Sequence, residues 1–311
     1  MTRPAHGLVE GEKSFAPTTA AARPHDYPGR TQGPPLLPQP QGCITTQGGH
    51  KARPYYPLTM DHIIFGLRAV IEALQAGRDI DKILIKKDRQ GSELLRELTD
   101  LLRGRLIPVQ HVPVERLNRI TRKNHQGVIA FASAVAYQRL EDIVPFIYEQ
   151  GRDPLLMLLD GVTDVRNFGA IARTCECVGA DALVIPSEGS ASATPDAMKA
   201  SAGALNVLPV CRERTLHGAL RFLHDSGVHL IAATEKATTP YTAITYTGPL
   251  AIVMGAEDTG VAPAHLRLCD EWVRIPQRGT IASLNVSVAA GILLYEALRQ
   301  RGGEKGVKIN D

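Results

Sequence analysis

The sequence predicts an α/β protein with two structured units, the second and larger built on a mostly parallel sheet. Three observations lead there. From residue 154 onward, short apolar runs alternate with helical stripes in a βαβ rhythm, which requires parallel strands covered by helices. Residues 60–136 repeat the alternation on a smaller scale. Residues 1–59 carry no sustained apolar period and hold ten of the 21 prolines, so they cannot offset their ordering entropy by burial and are expected to be disordered. Met60 is a candidate biological start. The expected boundaries are therefore a Pro/Gly-rich tail (1–59), a small α/β unit (60–136), a linker (137–153) and a large α/β unit (154–311).

In the small unit, Leu67, Val70, Ile71 and Leu74 form a helical stripe that stops at Gly77. Lys82 to Lys86 reads as a strand, Glu93 to Leu102 as a helix, and Ile107 to Val109 as a second strand. Pro113 opens a short helix through Ile120, and the apolar run from Gly127 to Val135 closes the unit as a strand. The linker includes a short helical piece around Ile143 to Tyr148.

In the large unit, Leu155 to Leu159, Ala182 to Ile185, Val207 to Val210, His229 to Ala233 and Leu250 to Met254 are predicted strands. Phe168 to Val178 and Leu216 to His224 are predicted helices, and Thr194-Pro195 has the cap-then-proline form of another helix start. After a strand-like end at Trp272 to Ile275, a loop containing Gly279 leads into a helix with almost no polar face before Glu296. A helix apolar nearly all round is expected to be buried on several sides. Its entrance carries Ser283, Asn285 and Ser287, which serve either as a cap for free backbone N–H groups or as a site for a hydrogen-bonding or anionic ligand.

Composition narrows the classes of function. A chain of 311 residues has room for one large or two ordinary domains, and no apolar run approaches the length of a membrane span. The net charge of +3 resides in the tail, where six Lys or Arg face three Asp or Glu, so a globally basic surface is no argument for nucleic-acid binding. Two local clusters in the small unit are: Lys82, Lys86, Lys87 and Arg89, then Arg116, Arg119, Arg122 and Lys123. They are either solvated faces or an RNA footprint. Five cysteines, an odd number without metal-like spacing, suggest a reducing compartment, with Cys175 and Cys177 diverging on one helix as packing thiols. No G-x-G-x-x-G follows a strand, and the P-loop, H-E-x-x-H and G-x-S-x-G patterns are absent.

Three loops follow strand ends of the large unit, where ligands of open α/β sheets bind. The first, Asp160 to Asn167, precedes a helix carrying Arg173, which either pairs with Glu176 or is free to act. The second, Met254 to Gly260, has two glycines that permit a tight turn or a close ligand approach. The third is Thr280 to Asn285. Together, N-F-G-A-I-A-R (Asn167 to Arg173), I-V-M-G-A-E-D-T-G (Ile252 to Gly260) and I-P-Q-R-G-T-I-A-S-L-N-V-S-V-A (Ile275 to Ala289) resemble the three ordered motifs of the SpoU, or TrmH-like, RNA ribose 2′-O-methyltransferases. F-G-L-R-A-V-I-E-A-L and N-H-Q-G-V-I-A in the small unit are similar to the RlmB type, which acts on guanosine in 23S rRNA.

The resemblance covers residues 60–301 and implies a SPOUT fold, a parallel sheet whose C-terminal part is threaded into a deep trefoil knot, preceded by an RNA-binding unit like ribosomal protein L30e. It implies S-adenosyl-L-methionine bound near Gly255, Ile275 and Leu284, with Thr234 matching the strand end that borders the same pocket. The residues matching the family's functional set are Asn167, Arg173, Glu257, Ser283 and Asn285. Arg173 matches the key arginine, whose very high pKa suits positioning of a phosphate or hydroxyl better than proton abstraction. Lys86, Lys87, Arg122 and Lys123 would contact RNA, and the same likeness implies a homodimer; the cysteine usage and the lack of a long apolar run lead to the expectation of a cytoplasmic setting with neither metal nor membrane. The competing expectations are a tRNA 2′-O-methyltransferase and a non-catalytic RNA-binding ribosome-assembly factor.

Overall fold

The structure is a computed structural model that describes residues 62–87, 91–280 and 283–302. The expectations for residues 1–59, Met60 and Arg89 lie outside the described residues.

The first sheet is built from β1 (Ile63–Phe65), β2 (Ile80–Lys86), β3 (Val109–Val112) and β4 (Val128–Ala132), in the order β1-β4-β2-β3. β4 runs antiparallel to both neighbours, while β2 and β3 are parallel. Alternating side chains send Ile83, Ile85, Val128 and Ala130 to one face, under α1 (Leu67–Gln75) and α2 (Glu93–Leu102), and Leu84 and Ile129 to the other, against Leu117 of α3 (Val114–Ile120). The stripe Leu67, Val70, Ile71 and Leu74 is buried as its spacing requires. Strand β1 went unanticipated because three residues show no alternation, and β3 begins two residues later than Ile107.

The two small-unit motifs meet in space. Gly66 offers no side chain to cap α1, and Gln126 Oε1 accepts the Leu67 N–H at 3.3 Å instead. Asn124 Oδ1 accepts the Gln126 N–H and His125 Nδ1 accepts the Gly127 N–H at 2.9 Å. Gln126 takes φ +48°, a left-handed conformation that few non-glycine residues adopt. The N-H-Q-G segment is thus a stitched turn that fixes the end of the sheet.

The second sheet contains β5 (Tyr137–Gln138), β6 (Leu155–Asp160), β7 (Ala182–Pro186), β8 (Val210–Glu213), β9 (His229–Ala233), β10 (Leu250–Gly255) and β11 (Glu271–Val273). Their order is β11-β9-β10-β6-β7-β8-β5, and every pair is parallel. The helices that follow these strands are α4 (Leu140–Glu149), α5 (Val165–Cys177), α6 (Pro195–Ala200), α7 (Leu216–Asp225), α8 (Pro263–Leu266) and α9 (Val286–Gln300). Met157 and Leu159 face a core completed by α5, α6 and α9; Leu156 and Leu158 face a second core completed by α4 and α7. No helix among the described residues is long and apolar enough to cross a membrane.

The helical piece expected around Ile143 to Tyr148 is part of α4, which buries Leu140, Val144 and Ile147 on one face despite Pro145, and β5 before it pairs with β8. Two expectations are corrected. The strand expected at Val207 to Val210 starts only at Val210, because Ala204 to Asn206 wind into a 3₁₀ turn that leaves Val207 69% exposed. Helix α9 is not enclosed on all sides. It buries Val286, Ala290, Leu293, Leu294, Glu296 and Ala297, but leaves Val288 51% and Tyr295 54% exposed on one stripe.

Gly169 lies where α5 meets α6. A Cβ there would come within 2.6 Å of Ala200 Cβ and 2.7 Å of the Ala197 carbonyl oxygen. Gly169→Ala is therefore expected to cost about 1–3 kcal/mol by overpacking, measured as a lower urea midpoint with unchanged slope.

Candidate active site

Strands β11, β9, β10 and β6 are neighbours, so the loops leaving their C-terminal ends emerge side by side. Gly255 ends β10 directly opposite Asp160 at the end of β6. A cavity of about 350 Å³ opens over this edge. Thr234, Gly255, Glu257, Ile275, Ser283 and Leu284 line it, so six of the nine residues expected at the catalytic and cofactor positions share one space.

Asn167 and Asn285 join through the wall. Glu257 Oε1 accepts from Asn167 Nδ2 at 3.1 Å, from Asn285 Nδ2 at 2.7 Å and from the Val286 N–H at 3.3 Å. Asn285 Nδ2 also donates to Asn167 Oδ1 at 3.0 Å. Asn285 is at the same time the N-cap of α9, its Oδ1 accepting the Ser287 and Val288 N–H groups at 2.9 and 3.4 Å. Asn285 is the cap, and the same amide also ties the loops together, its oxygen to the helix and its nitrogen to Asn167 and Glu257. Asp164 caps α5 in the same manner, and the Arg166 side chain, aided by two backbone N–H groups, holds its carboxyl below the usual range.

The second loop is tight. A Cβ on Gly255 would lie 2.0 Å from the Gly260 carbonyl carbon and 2.1 Å from the Val261 nitrogen. Gly255 is needed because the chain returns across it, a closer constraint than ligand approach. Asp160 anchors the far side of the turn, its Oδ2 2.7 Å from both the Ala262 N–H and His265 Nδ1.

Arg173 stands apart. It is exposed, does not line the cavity, and its guanidinium has no hydrogen bond or ion pair among the described residues, Glu176 included. Six residues of helix turn it well away from the face that carries Asn167. Its helix packs on α9, where Gly291 sits against Thr174. Lys86, Lys87, Arg122 and Lys123 do not line the cavity either. They are all exposed and lie at one end of the small sheet, where the Lys86 N–H donates to the Gly127 carbonyl at 2.8 Å and Lys123 Nζ sits 5.1 Å from the Phe65 ring. A second cavity, of about 370 Å³ and lined by Leu106, Leu140, Glu213 and Arg214, contains none of these residues.

Sequence reasoning missed Glu235, which lines the main cavity with its carboxylate 3.7 Å from where a Gly260 Cβ would sit. An acidic residue just past a strand end was the available signal. The apolar lining of Ala233, Met254, Val273 and Ile275 beside the three carboxylates of Glu235, Glu257 and Asp258 and the single cation of Arg274 suits a partly apolar ligand that also carries positive charge.

A fully parallel sheet, with a mixed cavity at its C-terminal edge walled by three loops and a helix cap, defines an α/β protein that binds a small molecule at strand ends. The SpoU rRNA Methylase family profile matches residues 154–295, and the profile described as RNA 2'-O ribose methyltransferase substrate binding matches 63–138. The 23S rRNA (guanosine-2'-O-)-methyltransferase RlmB of Photobacterium profundum is 39% identical over 77% of this chain and 98% of its own length. The Bacillus subtilis putative TrmH family tRNA/rRNA methyltransferase YacO is 32% identical over 78% of this chain and 96% of its own. Among solved structures, the AdoMet-bound rRNA methyltransferase of Sinorhizobium meliloti is 28% identical, with TM-score 0.50 over 76% of this chain and 87% of that one. The chain belongs to the SpoU rRNA methylase family.

Proposed function

We propose that the protein transfers the methyl group of S-adenosylmethionine to the 2′-hydroxyl of a guanosine ribose in 23S rRNA. The observation that carries this is the hydrogen-bonded union of Asn167, Glu257 and Asn285 in the wall of a cavity that Thr234, Gly255, Ile275, Ser283 and Leu284 also line. Thr234, Gly255, Ile275 and Leu284 would hold the cofactor, whose bound form supplies an electrophilic methyl on a sulfonium. Glu235 and Glu257 in the cavity lining would favour a ligand carrying that positive charge.

The chain's own part is chiefly positioning. Glu257 Oε1 is already engaged by three donors, which favours a role in ordering Asn167 and Asn285 over one as proton acceptor. Ser283, exposed at the cavity mouth, would orient the ribose. Arg173 would hold the RNA phosphate and aim the hydroxyl, with the phosphate assisting proton departure, since a guanidinium does not deprotonate in this range.

We further read the protein as a homodimer. The exposed stripe of Val288 and Tyr295 on α9 supports a partner there, and the exposed Arg173 on the adjoining α5 would then reach the partner's cavity. The knotted path and the L30e-like character of the small unit belong to the same proposal. In support of the knot, the chain leaves β11 at the sheet edge and returns in α9 to pack on α5 and β10. The domain limits near 60–136 and 154–311 and a cytoplasmic setting complete it.

Mapping 2′-O-methyl marks on 23S rRNA from cells with and without the gene tests the reading. One guanosine mark should vanish; an unchanged rRNA map with a lost tRNA mark would reassign the substrate, and no lost mark in either RNA would remove the enzymatic reading. Replacing Lys86, Lys87, Arg122 and Lys123 with Ala should weaken RNA binding and flatten its log–log salt dependence by about three, at about 0.7 per lost single-strand phosphate contact. Unchanged slopes would return these side chains to ordinary solvated surface.

A further inference from the structure

The two sheets are joined by one buried polar cluster. Arg212 of β8 and Asp81 of β2 form an ion pair at 2.9 Å, with their side chains only 6% and 2% exposed. Arg212 Nη1 also donates to the Ile80 carbonyl at 2.9 Å, and its guanidinium carbon lies 3.4 Å from the centre of the Tyr137 ring. The Tyr137 hydroxyl donates to the same Asp81 oxygen at 2.6 Å and accepts the Ala193 N–H at 3.3 Å. Burial, reinforced by the Asp81 charge, pushes the Tyr137 pKa up and keeps that hydroxyl a donor.

Each partner comes from a different part of the molecule. Asp81 is the second residue of β2, an inner strand of the small sheet, whose other end carries Lys86, with Lys87 just past it. Arg212 and Tyr137 lie on the two last strands of the large sheet. Ala193 immediately precedes Thr194, the cap of α6, and α6 packs on Gly169 in the helix that carries Asn167. A continuous chain of contacts thus runs from the small sheet to the site helix.

Holding a charge pair in such a place is not the cheapest way to join two units, since apolar packing of the same volume stabilises at least as well. What directional bonds add is a fixed angle. Three bonds of defined geometry cross between the units, two from Arg212 and one from Tyr137, and leave little freedom to slide or swivel, whereas a greasy contact tolerates both.

We propose that Arg212, Asp81 and Tyr137 are positioning residues that lock the small unit to the large sheet. The span from the basic end to the methyl-transfer cavity then selects which ribose is modified. This rests on the RNA-grip and methyl-transfer reading given above. None of the three residues touches the cavity, so they act through the placement of RNA.

The test uses the full chain with the exposed Cys177 and the tail's Cys43 replaced by serine and spin labels on the exposed faces of α3 and α7. Pulsed electron resonance on the otherwise unaltered chain should give one narrow distance distribution. Arg212→Gln and Asp81→Asn should broaden it, and Tyr137→Phe, which keeps the ring under the guanidinium and spares the fold, should broaden it less. In the same variants kcat/KM on 23S rRNA should fall by about 10²-fold, the scale of a misplacement near 1 Å. The loss should appear in KM for RNA and in marks on neighbouring riboses, with S-adenosylmethionine affinity unchanged. A narrow distribution with a single mark in all three variants, even if their melting points drop, overturns the proposal. If the variant lacking Lys86, Lys87, Arg122 and Lys123 bound RNA normally, the RNA-grip reading would fail and the selection role with it. The distance distributions would still decide whether the two units are locked.

Discussion

Arg173→Ala is expected to lower methyl transfer to 23S rRNA by about 10²–10³-fold or more, the usual consequence of removing one charged group placed against a reacting centre. S-Adenosylmethionine binding should stay close to that of the parent protein, because Arg173 does not line the cavity. Stability should also hold, since the exposed guanidinium has no partner among the described residues to lose. The combination separates this residue from every cavity-lining one. It also permits a subunit-mixing experiment. A chain with Arg173→Ala retains an intact cavity, and a chain with Glu257→Ala retains an intact arginine. If Arg173 serves the partner's cavity, mixed dimers regain activity that neither parent has. Full activity of the Arg173→Ala protein alone would take the residue out of the mechanism.

Gly255→Ala should be the most damaging single substitution for cofactor binding. The added methyl meets backbone at 2.0 and 2.1 Å, and backbone cannot swing aside as a long side chain can. The turn from Gly255 to Gly260 must open, which displaces Glu257 from Asn167 and Asn285 and reshapes the cavity at once. S-Adenosylmethionine affinity is expected to fall on the order of 10²-fold, about 2.7 kcal/mol, with about 1–3 kcal/mol lost from folding. Calorimetric titration and a denaturation curve measure the two separately. Affinity within about a factor of two of the parent value would show that the turn has another way to accommodate a side chain.

Much of the fold was legible because burial imposes period. Leu67, Val70, Ile71 and Leu74 could be placed on one helix face, and Leu155 to Leu159 could be read as a strand covered on both sides, without any tertiary information. Where the period was too short or broken, the reading failed. Three residues of β1 and two of β5 take their conformation from partners far along the chain, and α4, expected only around Ile143 to Tyr148, extends over Leu140–Glu149.

The site divides in the same way. Loop motifs named Asn167, Glu257 and Asn285, yet that one carboxylate oxygen gathers both amides is a fact of three dimensions. The apolar character of α9 was legible, but not that Glu296 would be buried while Val288 and Tyr295 faced outward. Nor could the chain order tell that Arg173 would stand clear of the space its neighbours enclose.

The doubled duty of Asn285 narrows what evolution can put there. Aspartate would keep the oxygen that starts the last helix but turn a second carboxylate toward Glu257. Serine could start the helix and would have no nitrogen to bridge the loops. Glutamine carries both groups one methylene too far out. Drift at this position is therefore confined by two independent geometries, and a chain that loses the asparagine must repair a helix and a pocket together.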